Sequence, residues 1–288
     1  MTYKSVTACA LALALAAPTT VVAHGANIPL GDGKVASQPR VDYVTACQTR
    51  FNPNAPGAGR AGDWIKGDYW VPDLKPTVNG AVSWTGGGLE MALSGSKRRL
   101  TGRGLPGHST GVFPVSRTDD AYQYDRNPNR IAAQKISLTL PANPKIAPRA
   151  SCLPMGMIGV SLTGVAIFNA LDAPGRDAVA HEIQDTCGGH PERRGQYHYH
   201  GPSDCMTEAA KGPNGHSGLV GYALDGFGIF GMNGAAGKHL SNADLDACHG
   251  HTEAVLWDGK VTKIYHYHLT DEYPYTLGCF KGQPVRAR

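Results

Sequence analysis

Charge is scarce in this chain. Asp, Glu, Lys and Arg make up 17% of its 288 residues and leave a formal net charge of +4. No basic run exceeds "KRR" at 97–99. A nucleic-acid surface needs clustered Lys and Arg to neutralise phosphates, so nucleic acid is excluded as a partner. Long apolar runs are also missing. After the N-terminal run at 8–17, no stretch approaches the roughly 18 residues that a membrane-spanning helix needs, and no membrane span is expected. There is no Cys-x-x-Cys pair, which removes the thioredoxin-like and zinc-ribbon readings. "TGGG" and "DGFGIFG" are glycine-rich but lack the strand-to-helix spacing that cradles phosphate. "GHSTG" has the wrong order for a serine nucleophile elbow.

What the chain does contain is glycine, proline and paired cysteines. Gly 37 and Pro 20 punctuate it into turns and short strands rather than long helices. Residues 1–23 read as a signal peptide. Lys4 supplies the positive start, 8–17 the apolar stretch, and "VVA" at 21–23 the small residues before a cleavage point after Ala23. This makes the protein secreted or periplasmic. Six cysteines then remain, Cys47, Cys152, Cys187, Cys205, Cys248 and Cys279. An even set in an oxidising compartment implies three disulfides.

The chain also repeats itself. "GVSLTGVAIFN" at 159–169 and "GYALDGFGIFG" at 221–231 share the pattern G-x-x-L-x-G-x-x-I-F. "DTCGGH" at 185–190 and "DACHGH" at 246–251 share D-x-C-x-G-H, and each copy goes on to Tyr-His-Tyr-His and a closing cysteine. Three matched blocks in one order predict two copies of one unit, 159–205 and 221–279, packed about a pseudo-twofold axis. The fold class expected is mainly β: a single composite domain over 64–282, built from two duplicated β-rich units with few short helices and stabilised by disulfides. An irregular lead-in over 24–63 precedes it. "AVSW", "LEMALS" and "KISLTLP" read as strands, "DAVAHEIQD" as one or two helical turns, and "LSNADLDAC" starts with a capping box from Ser241 to Asp244. In each unit the two cysteines flank the Tyr-His-Tyr-His strand, so Cys187–Cys205 and Cys248–Cys279 are the expected bridges, leaving Cys47–Cys152.

Alternation decides what the tetrapeptides can do. Successive side chains on a strand point to opposite faces. His198 and His200 therefore share one face, as do His266 and His268. Tyr197, Tyr199, Tyr265 and Tyr267 share the other, as core or as support for the site. Two imidazoles on one strand face are a natural pair of metal ligands. His190 and His251, each three residues after a cysteine, supply a third. Three imidazoles suit zinc, copper or iron, with a further position for exchange or catalysis. Asp185 and Asp246 are read as further ligands or as acceptors that orient a ligand histidine. His108 is a candidate to join the site. His249 has no counterpart in the first copy, where Gly188 stands. His181, His216 and His239 are read as isolated surface residues.

At "QDTCGGHPERRGQYHYH", "LVGYALDGFGIFG" and "DLDACHGHTEAVLWDGKVTKIYHYHLTDEYPYTLGCFKG" the chain resembles the YHYH protein family, mostly bacterial exported proteins named for this tetrapeptide. "GLPGHSTGVFP" at 104–114 extends the resemblance upstream, to roughly residues 100–282. It implies an exported protein and brings no catalytic residue with it. The leading expectation is transition-metal binding through the paired strands, with an unidentified small molecule or surface partner and catalysis left open. The rival is a non-catalytic extracellular binding or structural module, for carbohydrate or a surface partner, in which the Tyr/His strands are core.

Overall fold

The structure is a computed structural model that describes residues 27–55 and 60–287. The expected signal peptide lies outside the described residues. Five two-residue strands open it: β1 (Ile28–Pro29), β2 (Val35–Ala36), β3 (Val44–Thr45), β4 (Ile65–Lys66) and β5 (Tyr69–Trp70). β1, β5 and β4 form one small sheet, and β2 with β3 another. The Cys47–Cys152 bridge ties this region to the rest.

A three-stranded antiparallel sheet follows, from β6 (Leu89–Ser94), β7 (Lys97–Gly102) and β8 (Ile136–Pro141). In β8 the period of two is visible: Ile136, Leu138 and Leu140 are buried and the residues between them exposed. β7 carries the "KRR" that looks like a mere charge cluster in the sequence. Its central Arg98 turns inward, pairs with Asp258 at 2.8 Å, and stacks over Tyr222 and Trp257. A fully buried guanidinium is tolerated here because its charge is matched and its planar faces are covered by aromatic rings.

The centre of the molecule is an eight-stranded sheet of β9 (Met157–Ser161), β10 (Ala166–Phe168), β11 (Gly189–Pro191), β12 (Tyr197–Tyr199), β13 (Leu219–Ala223), β14 (Gly228–Phe230), β15 (Gly250–Trp257) and β16 (Lys260–His268). Their order is β11-β12-β10-β9-β13-β14-β16-β15. The pairings read the same from either edge. An antiparallel hairpin lies outside, then a parallel pair, then an antiparallel pair, and β9 meets β13 antiparallel in the middle. Parallel neighbours need a long crossover. The one between β10 and β12 carries the short helix α1 (Ala178–His181), capped by Asp177, the helical turn the sequence suggested. The expected Ser241–Asp244 capping box is also formed, on a single 3-10 turn. The two central strands are buried on both faces, which is why they read as apolar runs rather than alternating ones.

All three disulfides join the expected cysteines: Cys47–Cys152, Cys187–Cys205 and Cys248–Cys279. Among the described residues no helix is long and apolar enough to cross a membrane.

Candidate functional site

β12 and β16 place their tyrosines and histidines on opposite faces, and all eight side chains are buried. Register supplies the third histidine on each side. His190 of β11 lies directly opposite His198, and His251 of β15 directly opposite His266.

In the first cluster, His198 Nε2 and His200 Nε2 are 3.0 Å apart. His198 Nδ1 lies 3.0 Å from the Gln196 carbonyl, and His200 Nδ1 contacts the Asn169 carbonyl. A carbonyl only accepts, so each Nδ1 carries a proton, and in the neutral form of either ring its Nε2 presents a lone pair. With both rings neutral, two lone pairs face each other across 3.0 Å. Glu182, immediately after α1, adds a carboxylate oxygen 3.1 Å from His200 Nε2 and 3.2 Å from His190 Nε2. Neither contact is aligned as a hydrogen bond. His190 Nδ1 is buried without a partner, a state that costs about 1–3 kcal/mol, while His190 Nε2 and Glu182 Oε2 meet no aligned hydrogen bond and have only their ion-pair contacts.

The second cluster has four imidazoles. Nε2 of His216 and His266 are 3.1 Å apart, Nε2 of His251 and His268 3.1 Å, and Nε2 of His266 and His268 3.0 Å. Nδ1 of His216, His266 and His268 faces the carbonyls of Ser217, Ile264 and Gly231. The same argument turns their Nε2 lone pairs toward one another. Donors held at ~2.0–2.1 Å around a tetrahedral ion lie about 3.3 Å apart. The spacing in both clusters is close to that edge, and in each group the donor atoms lie close enough together to hold a metal ion.

Electrostatics separate the two. Burial pushes the Glu182 carboxyl up, but the His190 and His200 imidazoles outweigh it and hold it well below the usual carboxylate range. Burial pushes His190 down, and the Glu182 carboxylate more than reverses this, so His190 is raised. His198 is driven well below its ordinary value by burial and by its imidazole neighbours. In the second cluster burial, aided by neighbouring imidazoles, lowers His251 and His268 and brings His266 to about 3. Surroundings differ as well. A cavity of about 550 Å³ opens onto His190, His198, His200 and Glu182 and touches none of the second cluster's histidines.

The tyrosine face explains the D-x-C-x-G-H block. Asp185 accepts hydrogen bonds from the backbone N–H of Cys187 and Gly189 and from the Tyr197 hydroxyl at 2.8 Å. Asp246 does the same for Cys248, Gly250 and Tyr265. Each aspartate thus shapes the turn into the histidine strand and anchors the first tyrosine. The position after the cysteine is left-handed in both copies, Gly188 at φ 67° and His249 at φ 73°. The next glycine lies under a tyrosine ring. A Cβ on Gly189 would sit 2.3 Å from Tyr197, and one on Gly250 2.6 Å from the Tyr265 hydroxyl.

Several sequence expectations need correction. Asp185 and Asp246 are not ligands, because they lie with the tyrosines. His108 does not join either cluster. It contacts the Tyr199 hydroxyl and the Ser109 carbonyl, and the two cysteine sulfurs near it are bonded to each other. His216, read as a surface residue, is completely buried in the second cluster, and His181 is buried against Asp32. His239 is half exposed beside Asp271. Sequence reasoning missed Glu182, which contacts two histidines of the first cluster, and His216, the fourth imidazole of the second. Glu182 lies inside the first repeated segment and His216 just before the second, so comparing the two segments gives no signal for either. Alternation paired His198 with His200 and His266 with His268, and the place three residues after a cysteine picked out His190 and His251; the structure brings each trio together.

Residues 137–239 match the family model described as YHYH protein. That span runs from β8 past β14 and contains the whole first cluster together with His216. No curated protein and no solved structure matches the chain.

Proposed function

We propose, from the premise that residues 137–239 belong to the YHYH family, that this is an exported protein that binds transition metal at both histidine clusters. The observation that carries the reading is the set of facing Nε2 lone pairs, 3.0–3.1 Å apart, whose rings are locked by Nδ1 bonds to backbone carbonyls. Opposed lone pairs of neutral imidazoles repel, and a cation between them turns that repulsion into coordination; a proton shared between two rings is the alternative that the structural reading requires. The first centre would use His190, His198, His200 and Glu182. The second would use His251, His266 and His268, completed by His216. Zinc, copper and iron all accept imidazole with or without a carboxylate. Three disulfides support an oxidising compartment. The palindromic strand pairing and the twice-used D-x-C-x-G-H turn support descent of 159–205 and 221–279 from one duplicated unit. An ion at the first centre would supply Lewis acidity to a molecule in the adjoining cavity.

The rival reading, the histidines as structural core, draws on Phe168 stacked on His198 at 4.0 Å between ring centres. Elemental analysis of untagged protein purified from the periplasm separates the two. Metal in the wild type, lost in His198→Ala/His200→Ala while the protein stays folded, supports the metal reading. A folded, metal-free wild type whose histidine variant is unstable would sink it.

A further inference from the structure

The cavity at the first cluster is lined by three arginines and four acids, and the acids are not paired with those arginines. Arg60, Arg126 and Arg193 are among its lining residues and all three are exposed, the Arg126 guanidinium lying over the Tyr122 ring, 5.4 Å from its centre. Among the described residues none of the three forms a salt bridge or a side-chain hydrogen bond to a carboxylate. The acids of the wall are otherwise engaged. Asp172 pairs with Arg176 at 2.7 Å. Glu192 accepts from the backbone of Arg194 and Gln196 and from the Arg194 guanidinium. Asp125 is buried, and burial raises its carboxyl toward the neutral form. Glu182 is turned to the histidines. The deeper wall is apolar, with Met155, Phe168 and Leu171 beside His198 and His200.

We infer that this cavity binds a small organic oxyanion, a carboxylate or phosphate ester, with its charged end on Arg60, Arg126 and Arg193 and its apolar part against Met155, Phe168 and Leu171. The guanidinium fork matches either oxyanion in bidentate fashion. A volume of about 550 Å³ accommodates a molecule of some ten to twenty heavy atoms and lies in the ordinary range for ligand pockets. The inference rests on the proposed function only for the part of the ligand that reaches the metal; the arginine end stands on charge alone.

Calorimetric titration of the full chain at low ionic strength with benzoate, phenyl phosphate and benzamide tests this, with metal content measured on the same samples. Either anion should bind at least about tenfold more tightly than the neutral amide, and the tighter of the two assigns the oxyanion. Arg126→Gln/Arg193→Gln should abolish that preference and leave metal content and thermal midpoint unchanged, since both side chains are exposed. Equal binding of benzamide and the anions, no binding of either anion, or an unchanged preference in the double variant would overturn the inference. A metal-free wild type that still binds anions through these arginines would defeat the metal reading and leave this one standing.

Discussion

The two histidine clusters start from the same tetrapeptide and end in different chemistry. Each has an HxH pair on one strand and a third histidine across the hairpin, in matching register. The first takes its fourth donor from Glu182, on the crossover that follows β10, and opens to a cavity. The second takes His216, from the loop before β13, and three of its four histidines are essentially inaccessible. A carboxylate lowers the net charge of a bound divalent ion, whereas four neutral imidazoles leave it whole. On the proposed reading, the same strand scaffold would make one accessible, partly neutralised centre and one enclosed, all-imidazole centre. The two clusters differ in the loop that brings Glu182 or His216 to them, while the strands that carry the three shared histidines keep the same register.

The sharpest way to break this comparison is to remove each pair in turn. His198→Ala/His200→Ala and His266→Ala/His268→Ala should each abolish binding at their own centre and leave the other filled, because five strand-to-strand steps of about 4.8 Å separate β12 from β16. Elemental analysis should give half the wild-type metal in each variant. If either variant empties both sites, the centres are not independent.

A smaller effect is expected from the fourth donors. Glu182→Gln and His216→Gln each leave three imidazoles in place. Affinity at the altered centre should fall by about 10–100-fold, by analogy with losses on disturbing a metal's supporting shell, as read by competition with a chelator. Glu182→Gln should also let a neutral wall replace a carboxylate, so that anion binding in the cavity tightens. No corresponding change should follow His216→Gln.

These donors mark where the sequence stops being legible. The tetrapeptide's parity, the third histidine and all three disulfides could be read, because alternation on a strand and the flanking of a strand by cysteines are local facts. Glu182 lies in "AHEIQD" and His216 in "NGHSG", segments with no periodicity pointing toward a ligand, and they reach their clusters only through tertiary placement. Arg98 was hidden for the related reason that charge in a sequence says nothing of a partner 160 residues away. Asp185 and Asp246 misled because their distance from the histidines along the chain is short, while the turn they cap sends them to the opposite face.

Acid should separate the clusters next. Metal binding requires neutral imidazole, so protons compete. His190 is raised by Glu182 and takes up a proton at higher pH than an ordinary histidine. His251, His266 and His268 are lowered by burial and resist protonation. The first centre should therefore release metal at higher pH than the second as pH falls, in a titration followed by a colorimetric chelator. In metal-free protein the sign is equally definite for the lowered groups. An unfolded histidine protonates near ~6.5 while the folded His266 does not until about 3, so folding stability should decline as pH drops through that window. Simultaneous release from both centres would erase the electrostatic distinction.

The smallest predicted difference lies on the tyrosine face, where the first tyrosine of each tetrapeptide donates to an aspartate. Tyr197 bonds both oxygens of Asp185 at 2.8 and 2.9 Å, and Asp185 is essentially inaccessible to water. Tyr265 bonds Asp246 at 2.9 Å, but Asp246 is only part-buried and also receives Lys281 Nζ at 2.7 Å. Removing either hydroxyl deletes one charge-assisted hydrogen bond and creates almost no cavity. At Asp185 the orphaned oxygen has no water to replace the hydroxyl, although the backbone N–H groups of Gly111, Cys187 and Gly189 remain. Tyr197→Phe should cost about 1.5–3 kcal/mol, the range for hydrogen bonds to charged groups. At Asp246 solvent and the lysine share the loss, and Tyr265→Phe should cost about 0.5–1 kcal/mol, nearer the neutral-bond range. Urea denaturation of the two variants, with disulfides intact and metal content unchanged, measures the gap. Equal losses would mean that the aspartates are solvated alike and that burial does not distinguish the two halves on this face.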